Sequence, residues 1–217
     1  MYPIITIGRQ YGSGGREIGK KVAELLGIPY YDKELLLLAA NESGINYHVA
    51  GNYDEKPNGS FLYSIVSATA HKGGGMYDGN VLTLNDKLFI AQKKVIERLA
   101  SGGPCVIVGR CADSILKDMP NHVSVFIHAP EEYRAMRVAK EYSISVDKAM
   151  EKLAKTDKDR AAFYKYNSGR KWGAVENYAL CLNSSLLSTD DCARVIASYA
   201  RSTKNCLSST LSEDADD

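Results

Sequence analysis

Phosphate binding is the first chemistry suggested by the residue types. Gly12-Ser13-Gly14-Gly15 follows the apolar run Pro3–Gly8 and precedes Arg16–Leu26, where Ile18, Val22 and Leu25 or Leu26 recur at helical spacing. Successive glycines let backbone N–H groups close around an anion, because no side chain holds it off. A helix beginning there would aim its positive end at the same anion. Gly12, Ser13, Gly14, Gly15, Arg16 and Glu17 are therefore candidate ligands for nucleotide phosphates. The run also suits a plain strand-to-helix connector, but its place directly after an apolar strand favours the anion. It departs from the pattern G-x-x-x-x-G-K-[ST], which supplies a lysine for the β- and γ-phosphates and a hydroxyl for magnesium. Here Gly15 stands at the lysine position or, with one extra residue, Arg16 does. Ser13 is the available hydroxyl on the magnesium side. The spacing G-x-G-x-x-G of a dinucleotide fold is not met either.

Arginines are the second group. Transfer of a phosphoryl group asks a protein mainly for positioning and positive charge, and a guanidinium supplies both. Arg110 directly follows the apolar run Cys105–Val108 and Gly109; Arg134 and Arg137 lie on Glu131–Glu141; Arg160 ends the cluster Asp157-Lys158-Asp159-Arg160. Arg16, Arg110, Arg134, Arg137 and Arg160 are the candidates for charge stabilisation, with Arg9 a weaker one. Ordinary surface ion pairs are the alternative for each of them. Asp32, Arg110, Asp113 and Asp157 are candidates for holding the acceptor, although Asp32 equally suits a helix N-cap. Tyr164, Tyr166 and Trp172 would pack on a substrate or on the core. The histidines, four in number, are scattered and show no metal-ligand spacing.

These residues must be positioned by something. Apolar runs at Pro3–Gly8, Ile28–Tyr31, Cys105–Val108, Val123–Ala129 and Tyr178–Asn183 read as buried strands. Helical patterns fall at Arg16–Leu26, Lys33–Asn41, Asn85–Leu99, Glu131–Glu141, Ser145–Asp159 and Thr189–Arg201. Strands alternating with helices predict an α/β fold, an open five-stranded parallel sheet flanked by helices. Ligands of such sheets bind beyond the carboxyl ends of the strands, where Arg9, Asp32, Arg110 and Asp113 fall. Residues 46–79 are rich in glycine and polar groups and read as a flexible insert, with a short helix at Phe61–Ala70. The chain then reads as one domain over 1–205, with a polar, acidic, frayed tail at 206–217.

A chain of 217 residues, 45% hydrophobic and 24% charged, is ordinary for a soluble domain. A net charge of +1 argues against broad nucleic-acid binding. The five cysteines form no close pair, which fits a reduced compartment and a cytoplasmic protein. No apolar run is long enough to span a membrane, and no signal-peptide pattern opens the chain. Oligomeric state is not legible.

The segments ITIGRQYGSGGREIGKKVAELLGIPYYDKELL (5–37), VGRCAD (108–113), VFIHAPEEYRAMRV (125–138), KTDKDRAAFYKYNSGRKWG (155–173) and NYALCLNSS (177–185) together resemble the cytidylate-kinase-like proteins. That resemblance implies the P-loop nucleoside monophosphate kinase fold, an acceptor-binding insert at 46–79 and a helical lid at 139–175. It implies ATP and Mg2+ as cofactors and a nucleoside monophosphate, CMP, dCMP or a related pyrimidine nucleotide, as acceptor. Gly109-Arg110 matches a Gly-Arg-Asp stretch that binds the acceptor in that family, with Cys111 in place of the aspartate and Asp113 two positions on. Asp157, Asp159 and Arg160 resemble its lid motif. A kinase for another small acceptor, or a nucleotide-binding regulator with little catalysis, are the competing readings.

Overall fold

The structure, a computed structural model, describes residues 2–44, 55 and 83–213. Its strands are β1 (Ile4–Arg9), β2 (Tyr30–Tyr31), β3 (Val106–Val108), β4 (His122–His128) and β5 (Leu180–Asn183). They form one five-stranded sheet in the order β2-β3-β1-β4-β5, and every pairing is parallel. The sheet is the expected open α/β fold. β1 lies at its centre. The chain runs to one side of β1 for β2 and β3 and to the other for β4 and β5. The loop leaving β1 therefore opens where the sheet's order reverses, which is where such sheets bind ligands.

The helices are α1 (Gly15–Leu26), α2 (Lys33–Ser43), α3 (Leu84–Ser101), α4 (Ala112–Ile115), α5 (Glu131–Tyr142), α6 (Val146–Ser168) and α7 (Thr189–Glu213). Alternation along the strands divides the core. Ile5, Ile7, Val125 and Ile127 pack with Ile18 and Val22 of α1 and Ile196 of α7 on one face. On the other face Ile4 and Ile107 pack with Leu35 of α2 and with Leu88, Val95 and Ile96 of α3. A smaller cluster joins Ala135 and Val138 of α5 to Ala149 and Leu153 of α6, with Tyr11 against it. Thus α5 and α6 form a hairpin over the loop that follows β1. Ser143, in a left-handed conformation (φ 52°), caps α5.

Several boundaries differ from expectation. The helix expected at Ser145–Asp159 starts one residue later, with Ser145 as its N-cap, and runs to Ser168, so Arg160 and Tyr164 lie within it. The last helix passes Arg201 and continues to Glu213. The expected frayed tail at 206–217 is thus helical as far as 213; no glycine or proline in Thr189–Glu213 stops it. The short helix α4, which carries Asp113, had no periodic signal because it is one turn long. The expected helix at Phe61–Ala70 lies outside the described residues, as does all of 46–79 apart from Glu55. No described helix is long and apolar enough to cross a membrane.

Candidate active site

The loop from Gly8 to Gly15 is built by its own backbone and braced by four other elements. Gly12 and Gly14 have φ of 76° and 78°, a left-handed conformation in which glycine carries no penalty. Gly14 is also the N-cap of α1 and, having no side chain, leaves the first-turn N–H groups without a side-chain cap. Gly15 allows α1 to approach β1: a Cβ there would lie 2.6 Å from Arg9 Cβ. Around the loop, Gln10 Oε1 accepts from Ala129 N (3.1 Å), Asp157 Oδ1 accepts from Tyr11 N (2.7 Å), and the Ser184 hydroxyl donates to Ser13 O (2.7 Å). Gly12, Gly14, Gly15, Arg16 and Glu17 line an open cleft of about 990 Å³. That volume suits a nucleotide-sized ligand.

The Ser13 side chain does not face this cleft. It is buried and donates to Gln10 O at 2.8 Å, so the hydroxyl expected on the magnesium side braces the loop instead. Arg16 and Glu17 do line the cleft. Arg16 Nε pairs with Asp32 Oδ2 at 2.5 Å, and its side chain is 56% exposed. Glu17 Oε2 accepts from Arg137 Nη2 at 2.5 Å, and Glu17 Oε1 accepts from Thr189 Oγ1 at 2.9 Å. Partial burial would raise the Glu17 carboxyl; the Arg137 and Thr189 bonds and nearby Lys21 outweigh it and hold the group below the usual range. Arg137, reaching over Gly14 from α5, brings to the loop a cation that the missing lysine does not.

Arg134 is placed differently from Arg137. Its side chain is 8% exposed, and it donates from Nε to Ala129 O (3.0 Å) and from Nη1 to Tyr11 O (2.9 Å) and Asp157 Oδ2 (2.6 Å). Arg134 and Asp157 thus clamp the loop from both chemical sides, carbonyl and N–H. Neither lines the cleft, and Asp157, expected to hold an acceptor, is bonded to the loop backbone and to Arg134 instead.

Beyond β3 the backbone turns through three left-handed residues, Gly109 (φ 77°), Arg110 (φ 55°) and Cys111 (φ 56°). Such runs carry strain and persist only where surrounding contacts hold them. Arg110 is held firmly. Its buried Nη1 donates to Asp32 Oδ1 (2.9 Å) and to Val108 O (3.0 Å). Asp32 therefore bridges Arg110 and Arg16 and links the turn after β3 to the start of α1. Its side chain makes no N-cap bond to α2. Asp113 is buried and accepts from the Tyr164 hydroxyl at 2.6 Å. Burial raises its carboxyl above the usual range, and the Tyr164 bond only partly offsets this. Trp172 packs edge-on against Phe126 at 5.4 Å, while Tyr166 is exposed and reaches Asp86.

One residue that the sequence did not single out sits in the middle of this arrangement. Glu55 Oε1 accepts from Arg9 Nη1 (2.5 Å) and from Arg110 N (3.2 Å), and Oε2 accepts from Arg160 Nε (3.0 Å). Burial would raise the Glu55 carboxyl, but Arg9, Arg160 and Arg110 hold it well below the usual carboxylate range. No periodicity or motif surrounds Glu55 in the sequence, so nothing there marked it. Arg160 also donates to Arg9 O at 3.2 Å. Among the described residues no group of three or more His, Cys, Asp or Glu is placed to hold a metal.

Comparisons with known proteins bear on the family and the fold. A family model described as "Cytidylate kinase-like family" matches residues 4–186. No curated protein matches. Among solved structures, an uncharacterized protein from Eubacterium ventriosum ATCC 27560 is 28% identical with a TM-score of 0.66, covering 92% of this chain and 99% of that one. A gluconokinase from Sinorhizobium meliloti 1021 shares the fold at 17% identity and TM-score 0.53, over 96% of this chain and 97% of that one. A shikimate kinase from Acinetobacter baumannii in complex with shikimate does so at 17% and 0.51, over 94% and 96%. With a family model covering most of its length and the P-loop kinase sheet order around a glycine loop, the chain belongs to the cytidylate kinase-like family.

Proposed function

We propose that the protein transfers the γ-phosphoryl group of ATP to a small acceptor that carries an anionic group. The observation that carries this reading is the meeting of two hollows at a pair of arginines. An uncapped helix N-terminus and a glycine loop line the open cleft, and Arg9 and Arg160, which also line it, border in turn the small cavity formed at the Gly109–Asp113 turn. Membership of the family supports phosphotransferase activity in general.

On the donor side, the loop N–H groups and the positive end of α1 would hold phosphate oxygens, with Arg16 and Arg137 adding charge. ATP would supply the phosphoryl group and leave as ADP, and magnesium would arrive bound to its phosphates. Glu17 and Asp32, two of the carboxylates that line the same cleft, would suit a metal-bound water. Arg160, which lines the cleft too, would meet charge on the group in transit. Arg110 acts as a positioning residue through Asp32. Asp113, its carboxyl raised by burial and bonded by the Tyr164 hydroxyl, would face an acceptor in the small cavity. Residues 46–79 would serve the acceptor, a reading supported by Glu55. Residues 139–175 would form the lid, supported by Arg160 on α6. Both would belong to one domain over 1–205.

The acceptor is the finer question. The same fold carries a gluconokinase and a shikimate kinase, so fold does not select a nucleotide. CMP or dCMP is the reading that Gly109-Arg110 favours, with Cys111 departing from it. Arg16, tied to Asp32 in place of a free lysine, favours a regulator that binds nucleotide with little turnover. ADP release from magnesium-ATP tests all three. It should be followed with CMP, dCMP, UMP, gluconate and shikimate, each against a control without acceptor. Stimulation by a pyrimidine monophosphate alone selects the nucleotide reading, and stimulation by a hydroxy acid selects the other kinase reading. Nucleotide binding without stimulation by any of them would leave the regulator.

A further inference from the structure

We propose that Glu55 is an internal occupant of an oxyanion site, and that the acceptor's anionic group must displace it before transfer can begin. This rests on the acceptor-side assignment above. The site is a built one. Two guanidiniums and one backbone N–H converge on the carboxylate, and each carboxylate oxygen has its own cation: Oε1 meets Arg9 and Oε2 meets Arg160. All three side chains are nearly enclosed, with exposures of 7% for Arg9, 12% for Glu55 and 13% for Arg160. Arg110 adds its backbone N–H, while its guanidinium is already matched by Asp32.

Charge and space both point to a substitute rather than to a permanent pin. Arg9 and Arg160 bring two positive charges to one carboxylate, and burial together with the neighbouring Arg9 charge holds the Arg160 guanidinium below its usual range, which favours a more highly charged anion there. A phosphate dianion would match them fully. The cavity beside Glu55, bounded by Gly109, Asp113, Tyr164 and Trp172, is about 20 Å³. That admits about one water and no acceptor. On that side of the two arginines, departure of the carboxylate would add its own volume to the cavity. Gly109 shows how closely the group is fitted, for a Cβ there would collide with Glu55 Oε1 and the Arg9 guanidinium. Glu55 itself has φ of 52°, a left-handed conformation that costs a non-glycine residue and disfavours the docked state. Two opposed terms of this kind, ion pairing and strain, make a site that an incoming anion can tip.

A docked competitor lowers apparent affinity by the fraction of time the site is free. If Glu55 is docked about nine-tenths of the time, its removal raises affinity about tenfold. The test is calorimetric titration of the whole chain with inorganic phosphate and, separately, with acetate. Glu55→Gln should bind phosphate about tenfold more tightly than the wild type and should favour it over acetate. The double variant Glu55→Gln with Arg160→Met should lose that gain, which separates this site from the phosphate loop. A folded Glu55→Gln that binds phosphate no better than the wild type would overturn the proposal and make Glu55 a structural pin. Should Glu55→Gln not fold, Glu55→Asp, one methylene shorter, decides in the same way: tighter phosphate binding supports displacement, and unchanged binding or a second failure to fold overturns it. No turnover is needed, so absence of kinase activity would leave this result standing on its own.

Discussion

Replacing Arg134 by methionine separates two roles that its position along the sequence does not distinguish. Were Arg134 a phosphate ligand, its loss would lower turnover and leave stability nearly intact. The structure makes it a clamp on the loop: three hydrogen bonds, one of them a 2.6 Å ion pair with Asp157, at side-chain exposures of 8% and 17%. Removing one member of a buried pair costs about 3–5 kcal/mol, because the remaining charge is left without its partner. Asp157 is slightly exposed and keeps its bond from Tyr11 N, so the lower end, about 3 kcal/mol, applies here. In a chain of this size that lowers Tm by about 6–12 °C. Urea denaturation and a thermal melt followed by circular dichroism measure it, and titration with ADP measures the loop. Binding of ADP should weaken together with stability, since the loop N–H groups lose their brace. Asp157→Asn in the Arg134→Met background should add little, because the two share one interaction. A variant within about 0.5 kcal/mol of wild-type stability, but strongly impaired in turnover, would refute the clamp.

Further predictions follow from the same contacts. His122, bonded to Thr6 Oγ1 at 2.7 Å, is pushed down to about 4 by burial, against a backbone bond to Leu116. Its unfolded state takes up protons first, so stability should fall as pH drops from about 6.5 towards 4, by up to about 3 kcal/mol; His122→Gln should flatten that part of a urea-midpoint profile. Tyr164→Phe removes the bond that partly offsets burial of Asp113, so the carboxyl should titrate still higher, as followed by side-chain carboxyl NMR; a fall would contradict the assignment. Asp32→Asn takes the carboxylate from buried Arg110 and frees Arg16, so it should destabilise the chain by about 3 kcal/mol in a thermal melt and weaken acceptor use more than ADP binding. Equal losses of both would break the link drawn between Arg110 and the acceptor.

Much of this architecture was legible in the sequence because it depends on local pattern. Ile4, Ile5 and Ile7 fall on alternating faces of a strand buried on both sides, and Gly12 and Gly14 are glycines where the backbone needs positive φ. Pairing partners were less legible. Arg134 and Arg137 are one turn apart on α5, yet one turns into the protein and the other reaches over Gly14, a difference set by α6 packing on Val138. Ser13 has the right residue type for a metal-side hydroxyl, but its hydroxyl is buried and donates to Gln10 O. Glu55 was invisible for a different reason: its partners Arg9, Arg110 and Arg160 come from β1, the turn after β3, and α6, and only the fold brings them to one point.

The central claim, transfer of a phosphoryl group from ATP in the cleft to an acceptor, is tested most directly by a single-turnover reaction with γ-labelled ATP. Enzyme in excess is mixed with magnesium, labelled ATP and the acceptors one at a time, and the label is followed by chromatography. The account predicts label on one acceptor, little free phosphate, and loss of the product when Arg160 is replaced by methionine. Label that remains on ATP with every acceptor, or that leaves only as free phosphate at the same rate with and without them, would contradict it.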